Sequence, residues 1–158
     1  MRAREISEQN CSIARPVSLL GDRWTLMVLR QSFAGIRRFE HFQETLDCSR
    51  SVLAERLDRL VEYDILTKAA YKDDQRTRLE YRLTDKGLEL YPVLMALRSW
   101  GDEYMAPHGP PVLYRHLGCG GKAVVRHSCA KCGEILGARD VELRPGRGAA
   151  HGGQPRAR

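Results

Sequence analysis

The 158-residue sequence lacks any apolar run near the roughly 18 residues that a membrane-spanning helix needs. The N-terminal segment Met1–Glu5 leads into polar residues, without the apolar core of a secretion signal. Hydrophobic residues make up 42% and charged residues 29% of the chain, which is typical of a soluble protein and excludes collagen, a coiled-coil rod and a disordered chain. We therefore expect a cytoplasmic protein with no membrane partner, built as one domain or as one domain with an appendage.

Sequence motifs of catalysis are also missing. The sequence has no glycine-rich phosphate loop, no nucleophile elbow and no zinc-protease helix motif. Its Cys-x2-Cys pair lacks the strand-helix-strand context of a thiol oxidoreductase. We expect that the protein is not an enzyme, and a redox enzyme or thiol switch stays an open alternative.

Acidic residues are scarce at the C-terminal end alone. The net charge is +6, but residues 1–105 carry 17 basic and 17 acidic side chains, whereas residues 106–158 carry nine and three. The net charge is therefore weak support for nucleic-acid binding by the main body, which would need a locally sorted basic face. A solvated tail explains the basic end as well.

The chain divides at residues 106–111, which contain three prolines and one glycine and cannot continue a helix. This predicted linker separates a main domain at 1–105 from a small extension at 112–144. The last residues, 145–158, are mostly Gly, Pro, Arg and Ala, and we predict a disordered tail there.

Apolar residues at three- and four-residue spacing predict helices in the main domain. The first two span about residues 11–20 and 23–33, with Gly21 ending one and Asp22 opening the next. Two more helices follow, and the second of them begins after Ser49 as its N-cap. The apolar residues of these two helices are Phe39, Phe42, Leu46, Leu53, Leu57 and Leu60.

The sequence pattern then changes to that of β-strands. Residues 65–71 and 79–83 are rich in strand formers, and the polar segment 72–78 between them predicts a hairpin with a long tip. A last helix over Thr84–Tyr104 follows, in which Pro92 should cause a kink.

This order of elements predicts a winged helix-turn-helix, a mainly α fold with a small β-hairpin, followed by a ribbon-like C-terminal element. In such folds the second helix of the pair enters the major groove, and the hairpin contacts the neighbouring backbone or minor groove. Leu90, Leu97 and Tyr104 in the last helix are seven residues apart. That spacing fits either a partner helix or packing within the domain itself.

The predicted recognition helix carries polar residues outside its apolar stripe. Its N-terminus favours a phosphate, and Arg50 could bind a guanine edge through two hydrogen bonds. Arg56 and Arg59 contact phosphate or pair with a nearby carboxylate, and for Arg59 the ion pair is the better explanation. The candidate DNA-binding residues are Ser49, Arg50, Ser51, Arg56, Arg76, Thr77, Arg78 and, as a backbone clamp, Arg38.

Several short motifs occur together in one order. They are Cys11–Pro16, Leu19–Arg30, Arg38-Phe39 with Phe42, Ser49-Arg50 with Val52-Leu53 and Arg56-Leu57, Leu83–Gly87 and Trp100-Gly101. Over about residues 11–105 the sequence resembles the HxlR-type transcriptional regulators. The resemblance implies a winged-helix homodimer that binds an operator with dyad symmetry, with the first and last helices forming the dimer interface.

Two cysteines of this region are candidate sensors. In several members of the family the cysteine matching Cys11 senses oxidants or electrophiles, although Ser12 here replaces the proline that many members have. The alternative for Cys11 is a small buried apolar residue. Cys48 precedes the recognition helix, whose N-terminus is expected to lower the pKa of a thiol, and its alternative is an inert turn residue.

The remaining cysteines follow the linker in the pattern H-x2-C-x9-C-x2-C, formed by His116, Cys119, Cys129 and Cys132. Four nitrogen and sulfur donors suit a tetrahedral, structural Zn²⁺ ion. A disulfide or redox pair and unliganded thiols are the alternatives, and cytoplasmic location disfavours the disulfide. His127 and His108 are possible substitute ligands.

We expect from these observations a DNA-binding transcriptional regulator that acts as a homodimer on a dyad-symmetric operator. We expect it to be a repressor that responds to a small molecule or to a thiol-reactive signal. The alternative is a zinc-bearing protein-interaction module without sequence-specific DNA binding.

Overall fold

Helices and a single β-hairpin are the regular elements in the part of the chain that the structure describes. The structure is a computed structural model, and it describes residues 11–73 and 76–148. None of the helices in these residues is both long and apolar enough to cross a membrane. The elements in chain order are α1 (Ala14–Leu20), α2 (Arg23–Phe33), α3 (Phe39–Thr45), α4 (Arg50–Glu62), β1 (Leu66–Asp73), β2 (Arg76–Leu83), α5 (Asp85–Leu88) and α6 (Tyr91–Tyr104).

The chain forms two compact units. One combines Met1–Asp22 with Arg126–Arg158, and its described residues contain α1. The other is Arg23–Val125, which holds α2 to α6 and both strands. The predicted winged helix therefore lies in the second unit, where the mainly α fold with a β-hairpin is confirmed.

Helix α4 lies at the centre of the second unit's core. Its Leu53, Leu57 and Leu60 are fully buried, and their spacing places them on one helical face. α4 packs against α2, α3 and β1. Burying each large apolar side chain contributes about 1.5–3 kcal/mol, so this core fixes the orientation of α4. The other fully buried side chains are Thr25, Val28, Leu29, Phe42 and Leu66.

The start of α4 is set by its predicted N-cap. Ser49 has extended backbone angles, and its hydroxyl accepts a hydrogen bond from the Val52 N–H at 3.3 Å. Such a cap satisfies one of the N–H groups that a helix leaves without an internal partner. The opposite face of the first turn stays open to solvent, because Arg50 and Ser51 are exposed.

The hairpin is longer than its sequence pattern predicts. β1 and β2 pair antiparallel from Leu66 opposite Leu83 to Asp73 opposite Arg76. The prediction of a polar tip over 72–78 is therefore wrong, since most of that segment belongs to the strands. Exposed polar side chains do not interrupt the backbone ladder of an antiparallel pair, which is why the polar run extends the strands.

The single helix predicted over Thr84–Tyr104 is in fact two helices. Thr84 caps the short α5 by accepting the Gly87 N–H at 3.0 Å, and it donates to the Asp64 carbonyl at 2.7 Å. The kink predicted at Pro92 is also wrong, because Pro92 stands in the first turn of α6. A first-turn N–H has no acceptor within the helix, so proline fits there without strain.

Gly21 ends α1 as predicted, but for a different reason. Its φ of −70° is ordinary right-handed backbone, so glycine is not required by conformation. A Cβ at this position would lie 2.6 Å from the Val17 carbonyl oxygen. Glycine is therefore required here because any side chain would collide with the Val17 carbonyl, and not because the backbone makes a left-handed turn.

Candidate nucleic-acid interface

The first turn of α4 presents the predicted recognition residues to solvent. Ser49, Arg50 and Ser51 are exposed, and the two serine hydroxyls lie 3.1 Å apart. The Arg50 guanidinium lies over the ring of Phe39 in α3, 4.6 Å from its centroid. The first turn of α4 carries no acidic residue, so the helix terminus and Arg50 together form a positive end.

Further along α4, the arginines are more enclosed. The Arg56 side chain is 19% exposed, and its Nη1 pairs with Glu55 Oε1 at 2.7 Å. This ion pair is the alternative that the sequence offered for Arg56, whose contact with DNA stays a prediction. Arg59 is half-buried on the same helix. The N-terminal end of α4 is therefore its accessible basic part.

We call the β1–β2 hairpin the wing. Arg76 and Arg78 of β2, together with Arg38, which lies before α3 and stacks on the hairpin, form what we call the wing cluster. Side chains two residues apart on a strand lie on the same face of the sheet, and so do directly opposite side chains on paired strands. Tyr71 is opposite Arg78. Arg76, Arg78 and Tyr71 therefore lie on one face of the hairpin. The Arg38 guanidinium stacks over the Tyr71 ring, 4.4 Å from its centroid. Arg76 and Arg78 are exposed, so this face can contact a phosphate backbone.

The other face of the wing carries Thr77, which stands opposite Lys72. Both are exposed. Lys72 was not among the site residues predicted from the sequence. The sequence analysis placed it in a loop, where the face of the hairpin on which a side chain lies cannot be predicted. Its cross-strand register with Thr77 is the structural observation that adds it.

Lys68 of β1 connects the wing to the recognition helix. Its Nζ donates to Asp58 Oδ1 of α4 at 2.8 Å. This hydrogen bond raises the pKa of Lys68 above its ordinary value, so the link is charged at neutral pH. The contact joins β1 to α4, and no sequence pattern pointed to it.

The segment before α3 is hydrogen-bonded to strand β2 of the wing. The Tyr81 N–H donates to the Arg37 carbonyl at 2.7 Å, and the Tyr81 ring packs edge-on against Phe42 at 6.4 Å. Burial raises the pKa of Tyr81. Arg38 is therefore placed beside the wing by its neighbour's backbone as well as by its own stacking.

Cys48 and Cys11, the two candidate sensor cysteines, lie in different surroundings. Burial and the adjacent Asp47 carboxylate raise the pKa of the Cys48 thiol. The expectation that the helix N-terminus lowers that pKa is wrong, because desolvation and the neighbouring negative charge outweigh it. Cys11 lies half-buried just before α1, and its sensor role stays a prediction.

The predicted metal ligands lie in two turns, one in each unit. In the second unit, His116 Nδ1 and Cys119 Sγ are 3.2 Å apart. In the first unit, the backbone N–H groups of Cys132 and Lys131 lower the pKa of the Cys129 thiol. Across residues 11–73 and 76–148, no three His, Cys, Asp or Glu side chains are grouped to hold a metal ion. The zinc ion itself stays a prediction.

A helix pair with a capped, basic recognition helix and an arginine-bearing hairpin defines a winged helix-turn-helix protein. The profile of the HxlR-like helix-turn-helix family matches residues 19–109, which is more than half of the chain. The protein belongs to this family of transcriptional regulators, as the motifs in its sequence indicated.

Relatives and solved structures agree with this assignment. The HTH-type transcriptional regulator Rv3095 of Mycobacterium tuberculosis is 43% identical over 138 residues, which cover 87% of each chain. The crystal structure of PA1607, a candidate transcription factor, superposes with a TM-score of 0.76 at 35% identity, covering 85% of this chain and 94% of that one. The reduced form of YodB from Bacillus subtilis is 30% identical with a TM-score of 0.53, covering 61% and 96%.

Proposed function

We propose that the protein is a homodimeric repressor that binds a dyad-symmetric DNA operator, with α4 of each protomer in the major groove of one half-site. The observation that carries the proposal is the exposed, acid-free N-terminal turn of α4 beside a wing that holds three arginines on one face. Winged helix-turn-helix proteins read bases from the recognition helix and hold the backbone with surrounding basic groups.

The roles within this interface follow from the chemistry of each group. Arg50 spans a guanine edge with two hydrogen bonds, for which its stacking on Phe39 orders the side chain beforehand. Ser49 and Ser51 stand at the helix terminus, where hydroxyls and N–H groups suit a phosphate. The wing cluster neutralises phosphates next to the groove, and each such contact releases counterions.

The support for a dimer is an apolar stripe on α6, formed by Val93, Leu97, Trp100 and Tyr104. These side chains are 54%, 55%, 56% and 71% exposed, and their spacing of four, three and four residues is that of a helix-pairing seam. Leu94 and Met95 of the same helix are buried. α6 therefore uses one face for its own core and leaves a second apolar face for another copy of the chain.

The regulatory input in this proposal is a thiol-reactive agent at Cys11 or a small molecule. Cys11 is the residue to which the family resemblance assigns sensing, and the YodB structure compared above is a reduced form. For a small molecule, the second unit offers an apolar groove of about 260 Å³, lined by Tyr91, Met95 and Val124 among others. Either input would act by shifting the angle between the two recognition helices.

Electrophoretic mobility shift with the DNA upstream of the protein's own gene tests the proposal. We expect the wild type to give a retarded protein–DNA complex. Arg50→Ala should weaken the binding free energy by about 1–3 kcal/mol, and this variant should no longer discriminate between bases at one position of the operator. Arg76→Ala should weaken binding to all duplexes alike, since a phosphate contact carries no sequence information.

The matched control is Arg30→Ala, which removes an exposed arginine of α2 outside the interface. This variant should bind as tightly as the wild type. Equal, weak binding of the wild type to every duplex at modest salt would contradict the proposal and favour the protein-interaction alternative.

A further inference from the structure

Helix α6 borders the apolar groove with a side that is distinct from its apolar stripe. Tyr91, Met95 and Arg98 line the groove and recur at spacings of four and three residues, so they lie on one side of the helix. Each stands two residues before a member of the stripe, which is a rotation of about 200° around the helix. The groove is therefore on the side of α6 that faces away from the surface proposed for the dimer.

The second wall of the groove belongs to the segment after the linker, within the same unit. The N–H of Ala123 donates to the Tyr114 carbonyl at 2.9 Å, which closes a turn. The Arg98 guanidinium stacks over the Tyr114 ring, 4.3 Å from its centroid, and this contact joins the turn to α6. Ala123 then leads into Val124 and Val125, and all three line the groove.

The walls of the groove are apolar apart from one side chain. The volume of about 260 Å³ is a little below the roughly 300–1,000 Å³ of sites for drug-sized molecules, so the groove suits a smaller compound. Tyr91, Val124 and Val125 are exposed, and a ligand that covered them would remove apolar surface from water. Among the described residues that line the groove, Arg98 alone is charged.

The Arg98 side chain is largely buried but lacks a full set of hydrogen bonds. It is 17% exposed, and its buried Nε atom has no hydrogen-bond partner among the residues that the structure describes. Asp102 Oδ2 of the same helix lies 3.7 Å from Nε, which is beyond hydrogen-bond distance. Arginine stays protonated in proteins, and a buried charged donor without an acceptor is costly. Arg98 is therefore a donor for which an acceptor from outside the chain would be favourable.

The charges around Arg98 favour an anion. A second cavity of about 60 Å³ shares Arg98 and is also lined by Arg115, Lys122 and Asp102, so basic residues exceed acidic ones there by three to one. A carboxylate suits arginine because its two oxygens match the guanidinium N–H groups. A phosphate group suits the groove less well, because its higher charge is costly to remove from water beside apolar walls.

We propose that this groove binds a small compound with an apolar body and a single carboxylate. The carboxylate pairs with Arg98, and the apolar body lies against Tyr91, Met95 and Val124. The compound is then the small-molecule input of the regulator, and this part of the inference rests on the proposed function, whereas the binding does not. A ligand held against one side of α6 favours one placement of the stripe on its other side, provided that it binds this placement more tightly.

Isothermal titration calorimetry of the full-length protein without DNA tests the binding. The probes are phenylacetate and hexanoate, and the controls are their amides, which have nearly the same shape without the charge. We expect at least one of the two acids to bind saturably, one per chain, with a Kd of about 1 mM or below, as its size allows. Its amide should bind about tenfold more weakly or worse, because a hydrogen bond to a charged group is lost.

Substitutions locate the site. Arg98→Gln should weaken binding of the acid about tenfold or more and leave binding of the amide unchanged. Val124→Glu adds a carboxylate at an exposed wall position and should also weaken binding of the acid, by repulsion. The matched control is Arg30→Gln, which removes the same charge from an exposed position of α2 outside the groove and should bind like the wild type. Circular dichroism checks that each variant is folded.

The site is overturned if neither acid binds saturably, or if each acid binds no better than its amide. It is equally overturned if folded Arg98→Gln and Val124→Glu bind the acid as the wild type does. For the regulatory part, the bound acid should weaken the operator complex of the wild type and leave that of Arg98→Gln unchanged. An operator complex that the bound acid does not alter overturns the regulatory part alone. Absence of any specific DNA complex contradicts the proposed function and leaves the calorimetric result in place.

Discussion

At the scale of single residues, aromatic rings hold the arginines that the proposal places on DNA. Arg50 stacks on Phe39, and Arg38 stacks on Tyr71. An arginine over a ring at an exposed site gains about 0.5–1 kcal/mol. More important for binding, a stacked guanidinium has lost part of its rotamer freedom before DNA arrives, so less entropy is lost on forming the complex.

A stability measurement tests the residue that starts the recognition helix. Ser49→Ala removes the acceptor for the Val52 N–H and should lower the free energy of unfolding by about 1 kcal/mol, the usual value of an N-cap. Urea denaturation followed by circular dichroism measures this difference. Ser51→Ala is the control, since it removes the neighbouring hydroxyl but keeps the Ser49 oxygen that accepts the Val52 N–H, and alanine is the better helix former within α4. Equal stability of Ser49→Ala and the wild type would show that the cap contributes nothing.

At the scale of elements, two contacts join the wing to the parts of the chain that carry the other proposed DNA-binding residues. The Lys68–Asp58 hydrogen bond links β1 to α4, and the Arg37 carbonyl holds the backbone of β2. Exposed ion pairs contribute only about 0–1 kcal/mol each. The Lys68–Asp58 pair therefore adds little to the stability of the domain.

The salt dependence of DNA binding measures the contribution of the wing. If Arg76 and Arg78 each neutralise one phosphate, changing both to glutamine should reduce the slope of log K against log salt by about 1.8. Binding titrations by fluorescence anisotropy at several salt concentrations give this slope. The control changes Arg139 and Arg144, which lie outside the winged helix, to glutamine. It removes the same amount of charge and should leave the slope of log K against log salt unchanged. An unaltered slope in the wing variant would mean that the wing does not contact the backbone.

At the scale of the whole molecule, the proposed mechanism needs two recognition helices at a fixed spacing. A single protomer offers one α4, and a dyad-symmetric operator requires two. The side chains of the apolar stripe of α6 are each more than half exposed, whereas Leu94 and Met95 of the same helix are buried in the core. In the proposed mechanism, dimerisation is therefore the step that supplies the second recognition helix.

Sedimentation equilibrium tests the role of this stripe. We expect the wild type at twice the chain mass of 18.0 kDa, and Leu97→Arg at the monomer mass, because a buried unpaired charge is costly at an apolar interface. Glu103→Arg introduces the same side chain on α6 outside the stripe and should stay dimeric. A dimeric Leu97→Arg variant would place the interface elsewhere.

The sequence predicted best those features that depend on near neighbours. The helix periodicity and the Ser49 cap depend on residues a few positions apart, and the strand pair joins two segments that are adjacent in the sequence; the structure confirms all three. It predicted the ends of the hairpin and the last helix poorly. Polar residues are compatible with both a strand and a loop, and Pro92 is compatible with both a kink and a helix start.

By itself, the sequence determined the order of elements, the family and the residue types that can bind DNA or a metal ion. The tertiary structure decided which of these residues share a surface. Arg38 meets Tyr71 and Lys68 meets Asp58 only because packing around α4 brings distant segments together. Burial likewise decided that the pKa of Cys48 is raised. The physical reason is that local backbone preferences are set by adjacent residues, whereas contact, burial and charge environment are set by the path of the whole chain.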